Sequence, residues 1–158
     1  MSRARRRGFS LIELMVALAL VALFATLALP LAELAVQRNQ EIELKEALRQ
    51  IRGALDAYKQ AADDGRITVR PGDSGYPRTL ATLVEGVADN KSPDRRMIHF
   101  LRRLPRDPFA APGVRAEDSW GKRSYKSSHD RPQPGDDVYD VYSLSPDSGL
   151  NGIPYHEW

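Results

Sequence analysis

An apolar run of 21 residues, 9–29, limits what this chain can fold into more than any other feature. As a helix rising 1.5 Å per residue it would reach about 31 Å, which matches the hydrocarbon core of a bilayer at roughly 30 Å. Four arginines precede the run, at positions 3, 5, 6 and 7. Because positive charge favours the cytoplasmic side, the sequence predicts a single membrane pass with residues 30–158 on the far side.

Glu13 is the only charged residue in this run. A carboxylate within a membrane segment is unfavourable, by about 2.5–3.5 kcal/mol for an Asp at the centre of the helix, so an unpaired acid is unexpected there. We interpret Glu13 as an assembly residue that meets a positive charge on another copy of the chain. The alternatives are that Glu13 only reaches the membrane interface, that the run is a secretory signal, or that it is a plain anchor.

Residues 8–14, with the sequence GFSLIEL, resemble the cleavage motif of prepilins, which type IV pilins share with the pseudopilins of type II secretion. The resemblance implies that a membrane peptidase cuts between Gly8 and Phe9 and that Phe9 is then N-methylated. Cleavage would place an ammonium group on Phe9 at the positive end of a helix, within lipid. Glu13 of a neighbouring subunit could neutralise it, and breaking such a buried pair costs about 3–5 kcal/mol.

The order of segments predicts four parts: a leader at 1–8, a transmembrane half-helix at 9–29, a periplasmic amphipathic half-helix at 30–62, and a small domain at 63–158. A kink near Pro30 would be compatible with this helix. Beyond it, apolar residues recur at spacings of three and four, which predicts that one helical stripe packs on the domain that follows. The stripe consists of Leu44, Leu48, Ile51, Leu55, Tyr58 and Ala62.

The domain at 63–158 is rich in glycine and proline, so many turns and short elements are expected. The pattern predicts a short helix at 79–84 and further helical turns at 97–104, ending at Pro105. It also predicts strands at 123–127 and 138–144, because β-branched and aromatic residues concentrate there. We therefore expect an α+β fold of the pilin type, in which a long N-terminal helix packs on a small antiparallel sheet.

The second half of the chain resembles the major pseudopilins of type II secretion. The resemblance rests on the order of four segments, 107–109 (DPF), 119–125 (SWGKRSY), 140–149 (DVYSLSPDSG) and the final Trp158. In that group the last loop commonly binds calcium, which here implicates Ser145, Asp147 and Asn151. The acidic run that normally follows is replaced by LNGIPYHE, so a turn closed by packing of Tyr155 and Trp158 is the favoured interpretation.

Charge and motif content exclude other classes of protein. The chain has 23 Lys and Arg against 21 Asp and Glu; removing the four leader arginines leaves 19 against 21, a net charge of −2, so nucleic-acid binding is not expected. The histidines at 99, 129 and 156 follow no catalytic or metal-binding spacing, which favours a protein that is not an enzyme and requires no cofactor. The chain has no cysteine, so no disulfide stabilises the exported part.

The resemblance implies a structural subunit of the bacterial inner membrane, with its N-terminus in the cytoplasm and its C-terminal domain in the periplasm. It would polymerise with itself into a short periplasmic filament for type II secretion. Its further partners would be the prepilin peptidase and methyltransferase, other pseudopilins and the inner-membrane secretion platform. The alternatives are a type IV pilin or minor pilin, and a membrane-anchored periplasmic binding module.

Overall fold

The computed structural model describes residues 10–158, except for the side chains of residues 27–29. The chain divides into two compact units, Met1–Asn39 and Gln40–Trp158, and each is described by itself. Gly8 and Phe9, at the predicted processing site, lie outside the described residues.

The first unit consists of the beginning of helix α1, which extends from Leu11 to Asp63 and includes Pro30 as a helical residue. Its large apolar side chains are solvent-exposed, from Leu11 at 79% to Val36 at 58%. The apolar part of α1 is long and apolar enough to cross a membrane. Water does not favour such a surface, whereas lipid or a second apolar helix would cover it.

The second unit contains the rest of α1, and its core forms on the predicted apolar stripe. Leu44, Ile51 and Leu55 are fully buried, Tyr58 is half-buried and Ala62 is buried. Burying each large aliphatic side chain contributes about 1.5–3 kcal/mol. The second half of the chain contributes the core residues Leu80, Leu83, Trp120, Val138, Val141 and Tyr155. The stripe therefore is the face on which the small domain is built.

Helix α1 ends in a glycine cap. Gly65 has a φ of +71°, a left-handed conformation that costs little without a side chain. Its amide donates to the carbonyl of Ala62 at 3.0 Å, and the amide of Arg66 donates to Ala61 at 2.9 Å. These bonds satisfy carbonyls that the end of a helix leaves without partners.

Short elements follow α1. Helix α2 is Ala81–Glu85, and the strands are β1 Val87–Ala88, β2 Met97–Ile98, β3 Trp120–Arg123 and β4 Asp140–Ser143. Strands β1 and β2 pair antiparallel, as do β3 and β4 with Trp120 opposite Ser143. Single 3-10 turns lie at Ala116–Ser119 and Tyr155–Glu157. The predicted α+β fold, with a long N-terminal helix and short antiparallel sheets, is confirmed.

The prediction of helical turns at 97–104 is wrong. Met97 and Ile98 form β2, and the amides of Phe100 and Leu101 both donate to the carbonyl of Leu83, at 3.0 and 2.9 Å. The apolar spacing of this segment matches a helix, but Met97 is 51% exposed in β2, and only Phe100, Leu101 and Leu104 pack against the core. Long-range hydrogen bonds here outweigh the local pattern.

The predicted strand at 123–127 begins three residues too late and ends four residues too late. Strand β3 begins at Trp120, and its Gly121 lies under the ring of Tyr142, where an added Cβ would come within 2.3 Å of a ring carbon. It ends at Arg123, since the amide of Ser124 donates instead to the carbonyl of Gln133 at 3.0 Å. A glycine that admits a cross-strand aromatic ring thus belongs to the strand rather than to a turn.

Candidate functional site

Glu13 forms a capping box with Ser10 at the start of α1. The amide of Glu13 donates to Ser10 Oγ at 3.2 Å, and the amide of Ser10 donates to Glu13 Oε2 at 3.4 Å. This reciprocal pair satisfies two amides that the beginning of a helix leaves open. The Ser-x-x-Glu spacing was visible in the sequence, but its capping role was missed.

The local cap gives Glu13 a role within its own chain. The bond from Ser10 is long, so it holds the carboxylate loosely at the first turn of α1. A stronger donor, such as an ammonium group from another copy, can compete with it. The pairing of Glu13 with Phe9 of a neighbouring subunit stays a prediction.

The loop at 144–151, in which the resemblance implies calcium but a turn is the favoured interpretation, forms a chain of turns. Asp147 Oδ2 accepts from Ser145 Oγ at 3.4 Å, and the amide of Asp147 donates to Ser145 Oγ at 3.3 Å. Asn151 Oδ1 accepts from the amide of Ile153 at 3.0 Å. Ser145 and Asp147 are therefore neighbours, while Asn151 stabilises the next turn. Across residues 10–158 no three acidic or histidine side chains come together as they would to hold a metal ion.

Glu41 attaches this loop to helix α1. Its Oε1 accepts from the amide of Leu150 at 2.7 Å and from the hydroxyl of Tyr155 at 3.1 Å. Glu41 is 8% exposed and Tyr155 is 1% exposed, so both bonds lie away from bulk water. Buried hydrogen bonds to a charged group contribute more than neutral ones, at about 1.5–3 kcal/mol each. No sequence pattern predicts this contact, which joins residues more than 100 positions apart.

Trp158 closes the loop from the other side. Its indole N–H donates to the carbonyl of Ile153 at 3.2 Å, and its ring meets Tyr155 edge-on at 5.0 Å. The ammonium of Lys45 lies 4.4 Å from the centre of the indole ring. Gly149 lies against the same ring, since an added Cβ would come within 2.4 Å of it. The structure thus packs Tyr155 and Trp158 together, as the turn interpretation expected.

Arg52 connects α1 to β4 and to the tail. Its guanidinium donates to Asp140 Oδ1 at 2.8 Å and to the backbone oxygens of Val141 and Trp158 at 3.2 and 2.7 Å. Arg123 donates to the other oxygen of Asp140 at 3.2 Å. Asp140 therefore pairs with two arginines, one on each carboxylate oxygen.

Asp137 is held by three donors at the edge of the second sheet. Its carboxylate accepts from the hydroxyls of Ser74 and Ser124 and from the amide of Tyr125. Burial raises the pKa of Asp137, but these hydrogen bonds to its charged form outweigh burial and lower the pKa below its ordinary value. No sequence pattern predicts this network either, because its members lie up to 63 positions apart.

Two of the three histidines line one cleft of about 640 Å³, together with Arg52 and Asp140. His129 and His156 each lie near the carboxylate of the next residue, at 3.2 and 3.8 Å. His99 lies elsewhere, with Nδ1 2.9 Å from the carbonyl of Val84. The arrangement places two imidazoles on one wide cleft, but it contains no nucleophile held by a base.

Comparisons with known proteins agree with the long N-terminal helix and the small domain that follows it. An exposed apolar helix at the N-terminus, capped at a lone glutamate and continuing into a small α+β domain, defines a protein of the pilin-like class. Residues 3–29 match the family described as the prokaryotic N-terminal methylation motif. The chain is 30% identical over 157 residues to the type II secretion system core protein G of Klebsiella pneumoniae, covering 95% of this chain and 89% of that protein.

This chain therefore belongs to the pseudopilin family of type II secretion, the family of core protein G. No solved structure gives a significant match to it.

Proposed function

We propose that the protein is a pseudopilin that polymerises into a periplasmic filament and so drives type II protein secretion. The observation that carries the proposal is the likeness to core protein G over nearly the whole chain, combined with an N-terminal helix whose apolar side chains are exposed. A type IV pilin or a binding module that never polymerises has less support, because neither would be expected to match core protein G along its length.

Processing is the first step of the proposal. A peptidase and methyltransferase in the inner membrane would cut the chain between Gly8 and Phe9 and methylate the new amine. The methylation motif at residues 3–29 supports this step. The N-terminus would begin in the cytoplasm and the domain in the periplasm, since the arginines of the leader favour the cytoplasmic side.

Assembly is the second step. The exposed apolar face of α1 would leave the lipid by packing against the same face of other copies. Glu13 would set the register of this packing by neutralising the amine of a neighbour, since an unpaired charge in a bundle of apolar helices is costly. Other pseudopilins and the inner-membrane secretion platform would complete the machine.

The test uses membranes that contain the prepilin peptidase. N-terminal mass spectrometry should find a mature chain that begins at methylated Phe9, and shearing should release filaments. Gly8→Leu should leave the uncut precursor, because a side chain at the scissile junction blocks the approach of the peptidase. Gly53→Ala is the matched control, since nothing lies within 4 Å of an added Cβ there, and it should be cut normally. An intact Met1, or mature chains that never yield filaments, would contradict the proposal.

A further inference from the structure

A groove runs between helix α1 and the tail in the second unit. Its volume is about 390 Å³, with Leu48, Ile153 and Trp158 as apolar lining and Lys45 and Arg49 among its charged residues. Ile153 is 45% exposed and Trp158 is half-buried, whereas Leu48 is 2% exposed, so the apolar surface open to solvent comes from the tail. The groove therefore offers an apolar surface beside positive charge.

Most charges of the groove already have partners. Arg49 pairs with Glu46 at 2.6 Å, and Arg52 pairs with Asp140 at 2.8 Å. Glu157, the acid of this groove, lies 3.8 Å from His156. Lys45 differs, because its ammonium contacts only the indole face of Trp158, and within residues 10–158 it has no carboxylate partner. The groove thus contains one cation that is held over an aromatic ring and lacks an anion.

The chain itself presents a segment with the complementary chemistry. Glu33 is the only acidic residue between positions 14 and 40, and its exposed carboxylate forms no ion pair or hydrogen bond in the described part of the chain. Its neighbours Leu31, Leu34 and Val36 are exposed at 66%, 49% and 58%. One lone carboxylate among aliphatic side chains matches an apolar groove with one lone ammonium.

We propose that the groove of one copy receives residues 31–36 of helix α1 from a second copy, with the carboxylate of Glu33 on the ammonium of Lys45. The inference rests on the proposed function, because it describes one contact between subunits of the filament. An ion pair in a partly desolvated apolar groove is stronger than one on an open surface, since less water screens it. Leaving either charge in the groove alone is unfavourable, so the pair also selects the register of the two copies.

Charge reversal in the full chain tests the pairing. Glu33→Lys and Lys45→Glu should each lower the yield of sheared filaments by about tenfold, within the range of coupled charge pairs. The double variant should recover most of the yield, because it restores an ion pair with the charges exchanged. As a matched control, Glu33→Lys combined with Lys91→Glu should stay as poor as Glu33→Lys alone, since Lys91 is exposed and lies outside the groove.

Cross-linking gives a second readout, and the absence of native cysteines makes it clean. One tagged chain carries Glu33→Cys and a differently tagged chain carries Lys45→Cys, both expressed with the peptidase. Oxidation should link the two tags in sheared filaments. Normal filaments without this link, or a double reversal no better than the single ones, would overturn the inference while leaving the proposed function in place. If the wild-type chain forms no filaments at all, the proposed function fails, and the inference with it.

Discussion

Removing the carboxylate of Glu41 should detach the tail loop from α1. Glu41→Ala takes an acceptor from the amide of Leu150 and from the hydroxyl of Tyr155, both bonded to Glu41 Oε1. Each hydrogen bond to a charged group is worth about 1.5–3 kcal/mol, and two that share one oxygen are not fully additive, so we expect a loss of about 3 kcal/mol. In a fragment of residues 33–158, urea unfolding followed by tryptophan fluorescence should show a midpoint lower by about 2 M, for a slope of about 1.5 kcal/mol per M.

A double-mutant cycle isolates the contribution of the hydroxyl. Tyr155→Phe should cost about 1.5 kcal/mol in the wild-type fragment and less in the Glu41→Ala background, because the hydroxyl has then already lost this acceptor. Glu41→Gln should cost only about 1 kcal/mol, since the amide oxygen still accepts. Glu43→Ala, an exposed neighbour, should change stability by less than about 0.5 kcal/mol. Strictly additive losses for Glu41→Ala and Tyr155→Phe would refute the reasoning.

Three further outcomes are expected. Glu13→Ala should be processed but assemble poorly, and Glu13→Gln should be intermediate. Ser10→Ala should remove only the cap. Normal filament yield for both Glu13 variants would show that charge pairing is irrelevant. Calcium or a chelator should leave the melting temperature of the 33–158 fragment unchanged. Trp158→Ala, which deletes a half-buried ring, should lower the free energy of unfolding by about 3 kcal/mol. A calcium-dependent gain in melting temperature that is lost in Asp147→Ala would favour calcium binding over the turn. Because hydrogen bonds lower the pKa of Asp137, its stabilisation is present above about pH 4, the usual pKa of an aspartate, and is lost as pH falls through the lower folded value. The difference in unfolding free energy between the wild-type fragment and Asp137→Asn should therefore stay level from about pH 5 to 8 and narrow below about pH 4. A difference that widens in acid would contradict this.

The sequence predicted the parts of the fold that depend on local pattern. The stripe of α1 obeys helical periodicity because one face is buried against the domain, and Leu44 and Ile51 are accordingly inaccessible to solvent. Residues 97–104 show the limit of this method. Their apolar spacing is helical, yet the backbone of Phe100 binds Leu83 instead, and no local rule reveals a hydrogen bond to another segment.

The candidate site likewise has local features that the sequence predicts and long-range contacts that it does not. Glu13 was visible because a lone acid in an apolar run is unusual, and the Ser10 cap was visible as a spacing. Glu41 and Arg52 could not be recognised in this way, because each lies in a helix full of charged residues. Only their partners, about 90–110 positions away, distinguish them from the other charged residues of the helix. Long-range polar contacts of this kind require the three-dimensional arrangement before they can be recognised.

The contacts of Glu41 and Arg52 also determine the order in which the domain can fold. Both residues belong to the first third of the chain, while their partners at 140, 150 and 155 belong to its last part, with separations from 88 to 114 positions. Contacts so distant in sequence form late, because the long intervening loop must be closed before they contribute. In the proposed export, the part of the core that Val141 and Tyr155 complete would therefore stay open until these residues arrive. In the proposed topology, the domain would cross the membrane unfolded and become rigid only at the end of its passage.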